Sequence, residues 1–363
     1  MQAAVLYQVR EPLVVEEVEL DEPRAGEVLV RLTASGVCHS CLHIMDGSMS
    51  WPDMPVVLGD EGAGVVERVG AGGVSNVAPG DHVILSWSPA CGRCRYCATG
   101  RPQLCERRPA RGVMLDGTTR RRVRGQAVTH MGPATYATHT IVSSDSAIKI
   151  REDMPLDKAA LIGCAVTTGT GAVINTARVP AGASLAVFGA GGIGLNAVQG
   201  GRLAGAFPLI AVDIADNKLE FARTLGATHT CNGAHTDPVQ MIRDLTAGRG
   251  AEFTIVAVGQ TAAIQQAWDA LAPGGVCVVI GAPPPGETIA VNPAYLYRDE
   301  KRLTGSRYGS SRPLDDFARF VDLYLGGKLE LDALITRQYG LAEVNEAHRA
   351  LAAGENMRGL IVF

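Results

Sequence analysis

The chain has 363 residues, 47% of them hydrophobic and 19% charged, which is enough for two packed domains and gives no basis for disorder. A formal net charge of -4 lacks the basic footprint of a nucleic-acid binder, so no nucleic-acid partner is expected. The long apolar stretch 183–211 is broken by Asn196, Gln199 and Arg202, the opening MQAAVLYQVREP lacks a signal-peptide layout, and nine cysteines cluster unevenly, so the expectation is a cytoplasmic protein with no membrane partner, whose thiols serve metal or chemistry rather than disulfides.

Residues 1–150 are dense in Gly and Pro, with short β-branched runs at 28–32, 65–69 and 82–85 between turn signals; this predicts a β-rich domain with long loops. From about 165 the pattern changes. A buried strand at 184–188 leads to a helix at 192–203, then a strand at 209–212 and a helix at 218–225. Alternation continues through 253–258, 262–271 and 276–280, which predicts a parallel, doubly wound sheet. After the Pro-rich stretch 282–286, helices are expected at about 313–325 and 343–353, and a last strand at 360–363. That closing segment is expected to return to the first domain, because the doubly wound sheet is complete without it.

The strand at 184–188 runs into Gly189-Ala190-Gly191-Gly192-Ile193-Gly194 at a helix start. The glycines permit a tight turn and close approach of backbone to pyrophosphate, and the helix N-terminus offers free N–H groups. The next strand ends in Asp213, whose carboxylate suits adenosine ribose hydroxyls and would repel a 2′-phosphate, so NAD is the expected cofactor rather than NADP. Upstream, Cys91, Cys94, Cys97 and Cys105 supply four thiols at spacings of three, three and eight, which can close a tetrahedral shell around a structural zinc. Iron–sulfur ligation uses similar runs, but nothing else in the chain suggests electron transfer. Cys38, the turn 59–61 and Cys164 are scattered candidate ligands that, by themselves, read as buried thiols and a solvated acidic turn.

Together these motifs resemble the zinc-dependent alcohol dehydrogenases of the medium-chain dehydrogenase/reductase family, in particular the horse-liver-like branch with glutathione-dependent formaldehyde dehydrogenase and bacterial aryl alcohol dehydrogenases. The resemblance runs end to end: Gly36-Val-Cys-His-Ser40 with His43, Gly59-Asp-Glu-Gly-Ala-Gly64, the four-cysteine lobe, Asp116-Gly-Thr118, Leu161-Ile-Gly-Cys164 with Thr168-Gly169, the glycine loop, and Met357-Arg358. It implies an α/β protein: a GroES-like β-rich catalytic domain at 1–165 with a zinc lobe at 91–105, a Rossmann NAD-binding domain at 166–304, and a segment at 305–363 completing the first domain. It also implies two zinc ions per chain, one structural and one catalytic.

By the same resemblance Cys38 and Cys164 look like catalytic zinc thiolates, while Ser40 and His43 form a proton relay through the nicotinamide ribose. His39 and Arg358 face the cofactor pyrophosphate and Thr168 backs the nicotinamide; Lys218, Val258 and Ala282 join the cofactor contacts. Met49, Trp87, His130 and Met131 line a pocket for apolar or aromatic alcohols. A homodimer or homotetramer is expected, with the segment 291–302 at its interface.

Two positions depart from the family together. The usual histidine ligand is Asp60, and the acid that accepts its hydrogen bond is Cys41. A histidine ligand needs a carboxylate behind it, whereas an aspartate ligand would be repelled by one. Two thiolates and a carboxylate leave a zinc centre at net -1, against a neutral two-Cys, one-His set. Asp is shorter than His, so Glu61 or Cys41 could approach the metal instead, and loss of the catalytic zinc is the opposite reading. The basic run Arg120-Arg121-Arg122-Val-Arg124, with Arg107, Arg108 and Arg111, is expected as a solvated loop face, with attraction of an anionic thiol conjugate as the alternative. The functional expectation is an NAD-dependent alcohol dehydrogenase or aldehyde reductase. The competing readings are a reductase of an activated C=C or C=N bond without catalytic zinc, and a non-catalytic NAD-binding protein.

Overall fold

β-branched and small apolar residues recur through the first 150 positions, and the computed structural model, which describes residues 1–51, 53–284 and 286–363, gathers them into strands. In chain order these are β1 (Gln2–Leu6), β2 (Val14–Glu17), β3 (Glu19–Leu20), β4 (Glu27–Gly36), β5 (Val56–Val57), β6 (Gly62–Val69), β7 (His82–Leu85), β8 (Arg121–Val123), β9 (Gln126–His130), β10 (His139–Ser143) and β11 (Ala147–Lys149). Pro285 of the stretch 282–286 lies outside the described residues.

The middle of the chain supplies β12 (Leu185–Phe188), β13 (Leu209–Asp213), β14 (His229–Asn232), β15 (Ala251–Val256), β16 (Leu271–Val279) and β17 (Arg302–Gly305). All five pairings among them are parallel, in the order β14-β13-β12-β15-β16-β17. This is the 3-2-1-4-5-6 order of a doubly wound dinucleotide-binding sheet, whose strand order reverses beside its first strand, here β12. The apolar runs of β12 and β13 are buried through nearly their whole length, as a sheet covered on both faces requires.

Two more strands, β18 (Ile335–Gly340) and β19 (Arg358–Val362), follow the helices Pro313–Leu325 and Val344–Ala352. β19 pairs antiparallel with β4, in register from Leu360 opposite Gly36, so the end of the chain is a strand of the same sheet as residues 27–36. Contacts therefore divide the chain into a unit of residues 1–164 and 312–363 and a second unit of residues 165–311. The first unit holds two sheets, β2-β1-β5-β9-β8-β3 and β11-β7-β6-β4-β19-β18, with β10 also on β4.

Among the described residues one helix, Leu156–Ala177, is long and apolar enough to cross a membrane, although 83% of its most apolar window is buried within the fold. One expectation changes here, that of the arginine run at 120–124, which is not a solvated face. Arg122 and Arg124 are exposed and meet Asp21 and Glu16, but Arg120 and Arg121 are 1% and 0% exposed. Strand alternation turns Arg121 inward with Val123, and Arg120 is held inside by Glu27 and Asp116.

Candidate active site and cofactor loop

β4 delivers the chain to Cys38, which caps the helix His39–Asp46 in an extended conformation. Helical spacing puts Cys41 and Ile44 on the buried face, while His39 and His43, four residues apart, stand with ring centroids 6.1 Å from each other. The Ser40 hydroxyl lies 3.5 Å from the Cys38 sulfur. His43 Nδ1 lies 2.9 Å from the Ser48 hydroxyl and 3.9 Å from the Asp46 carboxylate.

Asp60 ends the turn before β6, and Cys164 sits in a π-helical turn, Ile162–Val166, a local widening that frequently marks functional positions. One donor atom from each of Cys38, Asp60 and Cys164 lies within 4.8 Å of the other two, and all three residues are buried. Cys164 Sγ is 3.8 Å from Asp60 Oδ2, while Asp60 Oδ1 is buried without a hydrogen-bond partner among the described residues. The hydrogen bond from the Cys164 thiol, acting against burial, holds the Cys38 thiol down at about 5; donating that bond and burial push Cys164 well up. Burial, reinforced by the Cys38 thiolate, pushes the Asp60 carboxyl well above its ordinary range. Three acidic groups crowded in this way, one with an unmet lone pair, are the donor chemistry of a divalent cation, whose binding displaces their protons.

Neither alternative ligand is disposed to join them. Glu61 is fully buried and both of its oxygens are taken by Arg358, Nε to Oε1 at 3.2 Å and Nη2 to Oε2 at 2.6 Å. Arg358, read from the sequence as a cofactor contact, is itself 4% exposed and employed in this pair, 297 residues away in the chain. Gly36 makes room for the pair, since a Cβ there would stand 1.9 Å from Glu61 Oε1. Cys41 turns its sulfur to Met131, 3.7 Å away, and shares a hydrogen bond with Tyr136; burial, then the Asp60 charge, raises its thiol. Tyr136 was not legible in the sequence. Its hydroxyl lies 3.5 Å from the Cys38 amide, and its ring meets His348 edge-on at 5.5 Å, both within the first unit. Met49 and Trp87, half-buried, pack on the cluster that contains Cys38, Cys41, Met131 and Cys164, whereas His130 is buried on β9.

A second group of donors is separate. Cys91, Cys94, Cys97 and Cys105 bring their sulfurs within 4.8 Å of one another, and none forms a disulfide. Tetrahedral zinc with bonds of about 2.3 Å needs sulfurs about 3.8 Å apart, and Cys94 and Cys105 are 3.9 Å apart. Backbone N–H groups, that of Cys97 foremost, lower the Cys94 thiol to about 6. The lobe thus fits a closed four-thiolate ion.

In the second unit the glycine loop follows β12 into the helix Gly192–Ala204. A Cβ on Gly194 would strike Gly189 O at 1.7 Å, whereas one on Gly191 would meet nothing within 4 Å, leaving an open cradle before the helix N-terminus. Asp213 stands at the tip of β13, its Oδ2 accepting from Ala190 N at 2.6 Å and its Oδ1 from Ile214 N and Ala215 N. Val258 flanks Gly189, Ile193 and Lys218 are half-buried, Thr168 is buried and Ala282 is exposed. An open cradle, a helix terminus and a carboxylate at the next strand end fit a dinucleotide.

Comparison with known proteins agrees with this anatomy. Residues 24–152 match the model of the alcohol dehydrogenase GroES-like domain and residues 192–325 that of the zinc-binding dehydrogenase domain. The chain is 41% identical to the NDMA-dependent alcohol dehydrogenase of Amycolatopsis methanolica, over 99% of this chain and 98% of that protein. It superposes on the benzyl alcohol dehydrogenase of Acinetobacter calcoaceticus with a TM-score of 0.94 at 32% identity, covering 100% and 99% of the two chains. A zinc-binding dehydrogenase of Sinorhizobium meliloti 1021, bound to NADP, gives 0.82 at 27% identity, covering 100% and 99%.

Proposed function

Because the chain belongs to the zinc-binding alcohol dehydrogenases, with a GroES-like domain and a nicotinamide-binding domain, we propose that it moves a hydride between NAD and a primary or aromatic alcohol, using one structural and one catalytic zinc. It is an enzyme acting on small-molecule alcohols, and zinc and a nicotinamide cofactor are its family's equipment. The observation that carries the finer reading is the buried triad Cys38, Asp60 and Cys164 with its unmet Asp60 oxygen. Cys38, Asp60 and Cys164 would hold a zinc ion that would supply Lewis-acid polarisation of an alcohol oxygen, with a bound nicotinamide as the hydride acceptor.

The chain's own residues do the rest. The Ser40 hydroxyl, beside Cys38, accepts the alcohol proton, and His43 passes it toward solvent. Arg358 neutralises Glu61 so that a second carboxylate does not compete beside the three donors. Met49, Trp87 and Met131 give an apolar, thioether-rich wall suited to a benzylic side chain. The backbone of Gly189, Gly191, Gly192 and Gly194 cradles pyrophosphate, with His39, Thr168, Ile193, Lys218, Val258 and Ala282 as further cofactor contacts. Asp213, already pinned by three backbone N–H groups, presents a fixed negative charge that disfavours a 2′-phosphate. The reading includes a catalytic domain of residues 1–164 and 312–363 and a nicotinamide domain of residues 165–311, so that the closing segment begins at 312 rather than at the expected 305. It also includes a cytoplasmic location and a homodimer or homotetramer.

Benzyl alcohol and primary aliphatic alcohols, offered with NAD or NADP, test this reading. Absorbance at 340 nm should rise with NAD, and a chelator strong enough to strip the triad should abolish it. Turnover confined to C=C or C=N substrates and indifferent to chelation would overturn it.

A further inference from the structure

The arginine run at 120–124 takes no part in that chemistry, yet two of its members are among the most deeply buried side chains in the protein. Arg120 is fully accounted for: Nε and Nη2 grip Glu27, Nη2 also meets Asp116, and Nη1 donates to Thr118 at 2.6 Å. Arg121 is not. Its Nη2 donates to Thr140 Oγ1 at 2.6 Å, but Nε and Nη1 are buried with no hydrogen-bond partner among the described residues. The charge acting on it is that of Arg120, another cation, and a guanidinium stays protonated at neutral pH. A buried, unpaired charge is among the costliest features a fold can carry.

The same sheet face holds a second unmet donor. Arg121 pairs with Val128 across β8 and β9, and His130 lies two residues further along β9, so both side chains project to one face as diagonal neighbours, about 7–8 Å apart at their backbones. His130 is 7% exposed, and its Nδ1 is buried without a partner among the described residues. Beside Thr140, the buried neighbours there are apolar and include Val57, Val123, Val128 and Ala134. A cationic and a neutral donor group therefore share one sheet face, and among the described residues no acidic side chain pairs with either.

We propose that Arg121 and His130 bind a small monovalent anion, of which chloride is the abundant example, in the core of the β-rich unit. The ion accepts from unpartnered guanidinium N–H groups and from Nδ1–H of a neutral imidazole. A halide fits better than an oxyanion, because the valine wall offers no further donors for additional oxygens. Its role is structural, fastening β8 and β9 to β10 through Arg121 and Thr140.

The test uses the zinc-loaded protein. Thermal unfolding is followed while chloride replaces gluconate at constant ionic strength, and crystals grown in bromide are examined for anomalous scattering. Chloride at ten times its dissociation constant should raise Tm by about 2 °C. Arg121→Leu should abolish that dependence, and a bromide peak should stand beside Arg121. Equal Tm in the two salts, a chloride shift that persists in Arg121→Leu, or a bromide map without a peak there would overturn the proposal. The wild-type bromide map decides the matter even if Arg121→Leu does not fold.

Discussion

Replacing Asp60 by His and Cys41 by Asp, singly and together, probes whether the two departures form one coupled unit. Asp60 is 5% exposed beside Cys38 and Cys164, and Cys41 lies fully buried on the inward face of the helix His39–Asp46, close enough for the Asp60 charge to raise its thiol. An imidazole at position 60 would have a thiol rather than a carboxylate behind it. A carboxylate at position 41 would find the Tyr136 hydroxyl, already bonded to Cys41, as a donor, and the new imidazole as a second. Losing such a supporting partner costs about 10- to 100-fold in metal affinity or activity. The coupling energy in the cycle should therefore be about 1.4–2.7 kcal/mol, favouring the double variant over the sum of the singles. Zinc affinity is measured by competition with a chromophoric chelator, and kcat/KM with a benzylic alcohol runs in parallel. Additivity within about 0.5 kcal/mol in both readouts would refute the pairing.

Asp213→Gly should shift the cofactor preference toward NADP, and it should also weaken NAD binding because the Ala190, Ile214 and Ala215 amides lose their acceptor; steady-state kinetics with both cofactors checks this, and a wild type already faster with NADP would refute it. Arg120→Met should leave Glu27 buried without its cation, a loss of about 3–5 kcal/mol and about 4–7 °C in Tm, against no change if the pair is incidental. Edge strand β17 is exposed along its length, with Leu303 39% exposed and Tyr297, in the helix Pro293–Arg298 before it, 83% exposed, so Leu303→Lys should lower the mass measured by sedimentation. A wild-type monomer at every concentration would remove the oligomer proposal.

Local order was written plainly in the chain. The strand predicted at 82–85 is β7, the helix predicted at 192–203 is Gly192–Ala204, and the helix predicted at 313–325 is Pro313–Leu325, because period and punctuation there act over a few residues. The four-thiol lobe and the glycine loop were legible for the same reason. What escaped depends on partners distant in sequence. Nothing near Glu61 announces Arg358, and nothing near Cys41 announces Tyr136. The arginine run at 120–124 looked solvated because composition alone reports charge; burial of Arg120 is set by Glu27, 93 residues earlier, and that of Arg121 by the alternation of a three-residue strand too short to recognise.

The proposed chemistry rests on the Cys38, Asp60 and Cys164 triad holding zinc independently of the four-cysteine lobe. The direct measurement is elemental zinc per chain in the wild type and in Cys38→Ser, taken on the same preparations as the NADH-formation assay. The account predicts two zinc ions and alcohol-dependent NADH formation in the wild type, falling to one zinc and no NADH formation in Cys38→Ser with the fold intact. One zinc in both proteins, with alcohol oxidation unchanged, would contradict it.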